Sequence, residues 1–156
     1  MRGPVLLTGG SGFLGSHIAD RLSAAGVEVR ALVRRTSDTR HLSSLPGIKL
    51  VQGSLDDPTS LTEATRGVRG IIHAAGLIKA MRSQDFARVN TRGTANLLAA
   101  ARAACPNLDR FVHVSSLAAM GPSKDGRPRP EGSPPAPVTA YGRSKLTAEE
   151  RVRAAS

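Results

Sequence analysis

At 156 residues, with 40% hydrophobic and 22% charged residues, the chain is long enough to bury a core and too short for a two-domain enzyme, and its balance excludes a collagen-like or wholly disordered polymer. Lys plus Arg number 22 against 12 Asp plus Glu, a net charge of +10 that raises a polyanion partner, yet aromatics are only 3% and the basic residues are scattered. Neither the stacking platform nor the basic block of a nucleic-acid binder is there, so no nucleic-acid partner is expected.

Val5–Thr8 reads as a short buried strand, after which Phe13, Leu14, Ile18 and Leu22 recur at helical spacing. Gly26 is the residue expected to end that helix. Residues 27–33 predict a second strand, 39–45 a weak helix stopped by Pro46, and Ile48–Gln52 a third strand. Asp57 followed by Pro58 predicts a helix start, with Asp as N-cap and Pro where its missing N–H costs nothing; this helix ends near Gly67. Residues 70–74 predict strand four, 83–105 one long helix closed by Pro106, and 111–115 strand five. Pro122, Pro128, Pro130, Pro134, Pro135 and Pro137 make 121–137 irregular, either an interdomain linker or a long active-site loop. Residues 139–155 predict a last helix.

Strands that alternate with helices predict an α/β fold, a Rossmann-type doubly wound parallel sheet with helices on both faces, over 1–156 as one domain. Such sheets bind ligands at the carboxyl ends of their strands. The single cysteine, Cys105, excludes an internal disulfide and a cysteine-based zinc site, and His17, His41, His73 and His113 lack metal-ligand spacing, so no metal is expected. The apolar stretch near the N-terminus is too short for a signal peptide or a membrane span, and a cytoplasmic location is expected.

Between the first strand and helix stands Thr8-Gly9-Gly10-Ser11-Gly12-Phe13-Leu14-Gly15. The spacing of Gly9, Gly12 and Gly15 serves a tight turn, close approach of backbone to a pyrophosphate, and close helix-to-strand packing, while the N–H groups of the helix start, around Phe13 and Leu14, face the phosphates. A dinucleotide is therefore expected here. About twenty residues on, an NAD site would place a carboxylate on the adenosine ribose, but strand two ends in Arg34 and Arg35. Guanidinium groups there suit a 2′-phosphate, which favours NADP over NAD; Asp38 nearby complicates the choice.

Tyr141 and Lys145 stand four residues apart and so share a helix face. A phenol of pKa about 10 needs roughly three units of help to exchange protons near neutrality, about 4 kcal/mol, and an ammonium about 4 Å away supplies that order of energy. Ser116, following the fifth strand, is placed to hold a substrate carbonyl while Tyr141 handles the proton. No His and carboxylate partner this serine as in a hydrolase, and the G-x-S-x-G elbow is absent.

TGGSGFLG, HAAG, VNTRGTANLL, VSSLAAMG and YGRSK, in this order, resemble the N-terminal half of an extended short-chain dehydrogenase/reductase, the NAD-dependent epimerase/dehydratase family. The resemblance implies Ser116, Tyr141 and Lys145 as a catalytic triad, Asn90 as a supporting residue, and Lys145 as a further holder of the nicotinamide ribose. It implies that Ala74, Ala75 and Gly76 run beside the cofactor. Where the family shows G-D-L-x-D for adenine contact, this chain has Gly53-Ser54-Leu55-Asp56-Asp57, which leaves Ser54 and Leu55 to meet the ring. The string VRALVR looks more like the dihydroflavonol-reductase and hydroxysteroid-dehydrogenase relatives than the sugar epimerases.

The leading expectation is thus an NAD(P)-dependent oxidoreductase acting on a small-molecule carbonyl or alcohol. The alternatives are a nucleotide-sugar epimerase or dehydratase, and a cofactor-binding module without catalysis, because family members continue with a C-terminal substrate domain. Family members often form a homodimer through the two long helices, here with Ala99, Ala100, Ala103 and Ala104 on one and Ala148, Ala154 and Ala155 on the other; the same residues equally suit packing on the chain's own sheet.

Overall fold

A computed structural model of the chain describes residues 3–123 and 126–155. In chain order the elements are β1 (Val5–Thr8), α1 (Phe13–Ala24), β2 (Val29–Val33), α2 (Arg40–Ser44), β3 (Ile48–Gln52), α3 (Pro58–Thr65) and β4 (Gly70–His73). Then come α4 (Ser83–Phe86), a π-helical stretch (Ala87–Arg92), α5 (Gly93–Ala104), β5 (Arg110–His113), α6 (Leu117–Met120) and α7 (Ala140–Arg153). Two compact units emerge, one over Met1–Gly76 and Asn96–Val114, the other over Leu77–Ala95 and Ser115–Ser156.

The first unit holds the five-stranded parallel sheet, in the order β3-β2-β1-β4-β5. Central β1 is buried along its whole length, which is why it reads as an unbroken apolar run rather than an alternating one. Its successive side chains serve opposite faces. Leu6 joins Leu32 and Ile71 against Leu61 and Ala64 of α3 and Leu97, Ala100 and Ala101 of α5. Leu7 joins Ala31 and Val33 against Ala19 of α1 and Leu42 of α2. Each fully buried leucine contributes about 1.5–3 kcal/mol, so the two-faced arrangement is what the apolar strands stabilise.

The Asp57-Pro58 signal works as expected: the Asp57 carboxylate accepts from the N–H of Thr59 at 3.1 Å and of Ser60 at 3.3 Å, and α3 starts at Pro58. Strand β2 begins two residues later than predicted, because the Val27 N–H is taken by the Leu22 carbonyl at 3.0 Å in the close of α1. β4 stops one residue short of the predicted end, and β5 runs one residue earlier at its start and two at its end.

The predicted 83–105 helix runs unbroken over residues 83–104, but not as a uniform α-helix. It is a short α4, the π-helical stretch with Asn90 inside it, and α5, and the widened turn is a departure that apolar periodicity does not signal. Sequence reasoning also missed α6, one turn capped by Ser116, whose Oγ accepts from the Ala118 N–H at 3.2 Å. The described part of 121–137 contains neither helix nor strand and is nonetheless anchored. Arg129 donates to the carbonyls of Met120 at 2.7 Å, Pro122 at 3.2 Å and Pro134, and the Ala136 N–H donates to the Met120 carbonyl at 2.9 Å. Of the alanines considered for self-association, Ala100 lies in the sheet core and Ala148 is fully buried, whereas Ala99 and Ala103 are exposed. Among the described residues no helix is long and apolar enough to cross a membrane.

Candidate cofactor and catalytic residues

In the first unit the carboxyl end of β1 runs into the glycine turn. Gly9 has φ +77°, and a Cβ there would lie 2.6 Å from the Ala75 nitrogen and 2.8 Å from the Ala74 carbonyl carbon. Only glycine therefore allows the turn and the Ala74-Ala75 backbone to pass so closely. That backbone is tied in place by β1: the Ala74 N–H donates to the Thr8 carbonyl at 3.1 Å and the Ala75 N–H to Thr8 Oγ1 at 3.3 Å. Thr8 Oγ1 is also bonded to Nδ1 of buried His73 at 2.7 Å, a pair that sequence reasoning did not pick out. The turn closes with the Gly12 N–H on the Gly9 carbonyl at 3.0 Å, and a Cβ on Gly15 would strike that same carbonyl.

Gly12 is the N-cap of α1 and offers no side chain to the helix start, and the first turn carries no acidic residue. The amino end of α1 thus keeps its positive dipole uncompensated, as a phosphate site requires. Phe13 is 85% exposed and Leu14 also lies at the surface. Arg34 and Arg35 are exposed beyond β2, with the Arg34 N–H donating to Ser37 Oγ at 3.1 Å. Ser54 Oγ accepts from the Asp56 N–H at 3.2 Å, and the Leu55 carbonyl accepts from Asn96 Nδ2 at 2.8 Å. The Leu55 side chain packs on the sheet core, which leaves its backbone rather than its side chain for a ligand. Gly76 ends the first unit and is exposed.

In the second unit the organising residue is Asn90, only 1% exposed. Its Oδ1 accepts from the Leu77 N–H at 2.7 Å, while Nδ2 donates to the Leu77 carbonyl at 3.0 Å and to Ser144 Oγ at 3.0 Å. Ser144 Oγ in turn donates to the Tyr141 carbonyl at 2.7 Å, and Thr91 Oγ1 donates to the Ser144 carbonyl at 3.0 Å. One amide side chain so ties the segment after β4 to the turn of α7 that bears Tyr141 and Lys145. Helix α7 is entered through Thr139, whose Oγ1 accepts from the Gly142 N–H at 2.9 Å. Gly142 is needed because a Cβ there would collide with the Ala118 carbonyl of α6. A glycine inside a predicted helix was the available signal for this close approach.

Ser116 and Tyr141 are both half-buried, and the Tyr141 ring lies 5.8 Å from that of Phe86 at 60°. Lys145 is 4% exposed, and burial pushes its ammonium down to about 8, with the Glu149 carboxylate one turn on pulling the other way. Glu149 itself accepts from Ser115 Oγ and pairs with Arg153 at 3.0 Å. This lysine, whose ammonium is brought down by burial, stands one helical turn from the only tyrosine of the chain. No group of His, Cys, Asp or Glu among the described residues has the clustering of a metal site.

Comparison with known proteins agrees with this architecture. The family model described as "NAD dependent epimerase/dehydratase family" matches residues 5–156. The ceramide reductase of Caulobacter vibrioides is 39% identical over 154 residues, covering 99% of this chain and 43% of that protein. The UDP-glucose 4-epimerase of Azospirillum brasilense is 31% identical, covering 96% of this chain and 43% of that protein. Among solved structures, a short-chain dehydrogenase/reductase superfamily protein from Agrobacterium tumefaciens with bound NAD superposes with a TM-score of 0.79 at 32% identity, covering 96% of this chain and 44% of that one. The chain spans less than half the length of these relatives. With a family match over nearly its entire length and a five-stranded parallel sheet to carry it, the chain belongs to the NAD-dependent epimerase/dehydratase family.

Proposed function

We propose that this chain is the cofactor-binding and catalytic part of an NAD(P)-dependent oxidoreductase that interconverts a carbonyl and its alcohol. The observation that carries the reading is the buried Lys145, one helical turn from Tyr141 and with its ammonium brought down to about 8. The glycine turn fits a dinucleotide, since Gly9 and Gly15 let the turn pack backbone on backbone against Ala74-Ala75 and against itself, and the amino end of α1 is bare. Gly9, Gly12, Phe13, Leu14 and Gly15 would hold the pyrophosphate, the Ala74–Gly76 backbone would lie along the cofactor, and Ser54 and the Leu55 backbone would meet the adenine. When bound, the nicotinamide supplies hydride to the carbonyl carbon or accepts it from the alcohol.

Tyr141 gives its phenolic proton to the carbonyl oxygen during reduction and takes it back during oxidation. Ser116 donates a hydrogen bond to the same oxygen and fixes the substrate. The Lys145 ammonium, one helical turn away, stabilises the Tyr141 phenolate. It also holds the nicotinamide ribose. Asn90 acts as a positioning residue through Leu77 and Ser144. The 39% identity to a ceramide reductase supports a reductase, and the 31% identity to an epimerase supports the second reading, a nucleotide-sugar epimerase or dehydratase using the same triad. We assign a cytoplasmic setting on the lone, buried, free Cys105, and a homodimer through the exposed Ala99 and Ala103 of α5 accompanies the proposal.

The test is NADPH oxidation with a panel of aldehydes and ketones, followed in the absorbance of the reduced nicotinamide. Tyr141→Phe is expected to lower turnover by at least about 100-fold. Unchanged turnover overturns the mechanism, binding without turnover supports a non-catalytic module, and NAD that stays bound through purification favours the epimerase.

A further inference from the structure

The second unit carries a cavity of about 560 Å³, formed by α4 and the π-helical stretch, that the roles above leave unused. Arg82, Arg88 and Arg92 line it together with Gln84, and Asp85 is its one carboxylate. Just before Arg82 two large apolar side chains stand in water: Ile78 is 70% exposed and Met81 wholly so, with exposed Lys79 between them. From Leu77 to Ala95 the sequence holds four cations, Lys79, Arg82, Arg88 and Arg92, against the single Asp85. We propose that residues 78–92 form a docking surface for an anionic lipid bilayer, in which the arginine-lined cavity takes headgroup phosphates and Ile78 and Met81 enter the acyl boundary.

Guanidinium groups bind phosphate oxygens through paired N–H donors, and three of them around one cavity give that chemistry a concave seat. The one carboxylate competes weakly. Asp85 lies 3.5 Å from Arg88 Nη2, with the two side chains 32% and 45% exposed, so water screens the pairing and the guanidinium turns to a phosphate at little cost. Large apolar side chains left in water beside polar residues mark a contact face.

Simpler occupants match only half of the surface. A free phosphate accounts for the arginines and leaves Ile78 and Met81 in water, whereas an apolar polypeptide covers those two and leaves the cations uncompensated. A second copy of this chain brings a net charge of +10 to a surface that is already positive. An anionic bilayer meets both halves, because its interface sets headgroup phosphates directly above the acyl chains. Attachment through two apolar side chains and a few charges is of the reversible, interfacial kind. Asn90 of the same stretch bonds Leu77 at 2.7 Å and Ser144 at 3.0 Å, so the docked segment is tied to the helix that bears Tyr141. On the catalytic reading above, docking brings the site to carbonyl compounds dissolved in that bilayer; the docking itself holds whether or not that reading does.

The experiment is co-sedimentation of the chain with vesicles of phosphatidylcholine alone and of an equal mixture with phosphatidylglycerol, at low and at physiological salt. The parent is expected to bind the mixed vesicles, more tightly at low salt, and to leave the neutral ones. At about fivefold per cation, Arg82→Gln/Arg88→Gln/Arg92→Gln is expected to lower partition by about 100-fold. Ile78→Ser/Met81→Ser, which keeps every charge, is expected to lower it by at least about tenfold. Arg21→Gln/Arg66→Gln/Arg102→Gln removes as much charge from exposed positions of the first unit and is expected to lower it by less than about fivefold. Every substituted side chain is exposed, and an unchanged urea midpoint reports that each variant is folded. A parent that ignores the mixed vesicles overturns the proposal, and self-association of that parent in analytical ultracentrifugation then gives the patch to a protein contact. So does a first-unit triple variant that loses as much as the cavity triple, which reduces the effect to net charge, or an Ile78 and Met81 variant that binds as the parent does. Nucleotide binding, measured separately, decides the cofactor reading and leaves this one untouched.

Discussion

Lys145→Met is expected to stabilise the fold while ending the chemistry proposed for it. Lys145 is 4% exposed, and burial brings its ammonium from the ordinary 10.5 to about 8. At about 1.4 kcal/mol per unit the shift is equivalent to about 3 kcal/mol, an upper bound on the burial penalty that the substitution relieves. Below pH 8 both folded and unfolded chains carry the proton, and the folded chain bears the full burial penalty. Between pH 8 and 10.5 the unfolded chain holds a proton that the folded chain has released, so stability rises with pH through this window. Methionine keeps the length of the side chain and removes the charge, and Glu149 retains Ser115 and Arg153 as partners. Urea denaturation of parent and variant should therefore show the variant more stable by about 1–2 kcal/mol at pH 7, with the gap closing between pH 8 and 10.5. Comparing the two proteins at each pH cancels every other titrating group. A gap that stays constant over that window refutes the burial argument for Lys145.

Asn90→Ala removes three hydrogen bonds in the buried interior of the second unit and should cost about 2–4 kcal/mol, read as a lower urea midpoint at unchanged slope. Gly9→Ala forces a Cβ into the Ala74-Ala75 backbone at a φ of +77° and should cost more than about 1 kcal/mol and abolish dinucleotide binding, measured by denaturation and by nicotinamide fluorescence. Cys105 is buried with its Sγ donating to the Val68 carbonyl at 2.6 Å, and burial raises its thiol above the ordinary 9.0. Iodoacetamide should leave it unmodified in the native protein at pH 8 and label it fully in urea, as followed by mass spectrometry.

What could be learned from the chain alone came from interactions that are local or periodic. Unbroken apolar runs announce strands buried on two faces, Asp57-Pro58 announces a helix start because cap and first turn are neighbours in sequence, and the glycine spacing announces a turn whose geometry is set within eight residues. Tyr141 and Lys145 share a face because a helix repeats every 3.6 residues, so their placement one turn apart on α7 was legible as well. Tertiary structure decided the rest. The predicted 83–105 helix holds a π-helical stretch around Asn90, whose side chain bonds Leu77 thirteen positions away and Ser144 fifty-four positions away, partners that no local pattern names. The low ammonium of Lys145 depends on burial, which spacing cannot report. Arg34 and Arg35 stood out in sequence by their distance from the glycines, yet only the folding of α2 toward the amino end of α1 brings Asp38 and Arg40 to a cavity beside the turn. Spacing along a chain specifies which residues share an element; which elements meet, and so which side chains are buried and which charges stand together, is decided by packing.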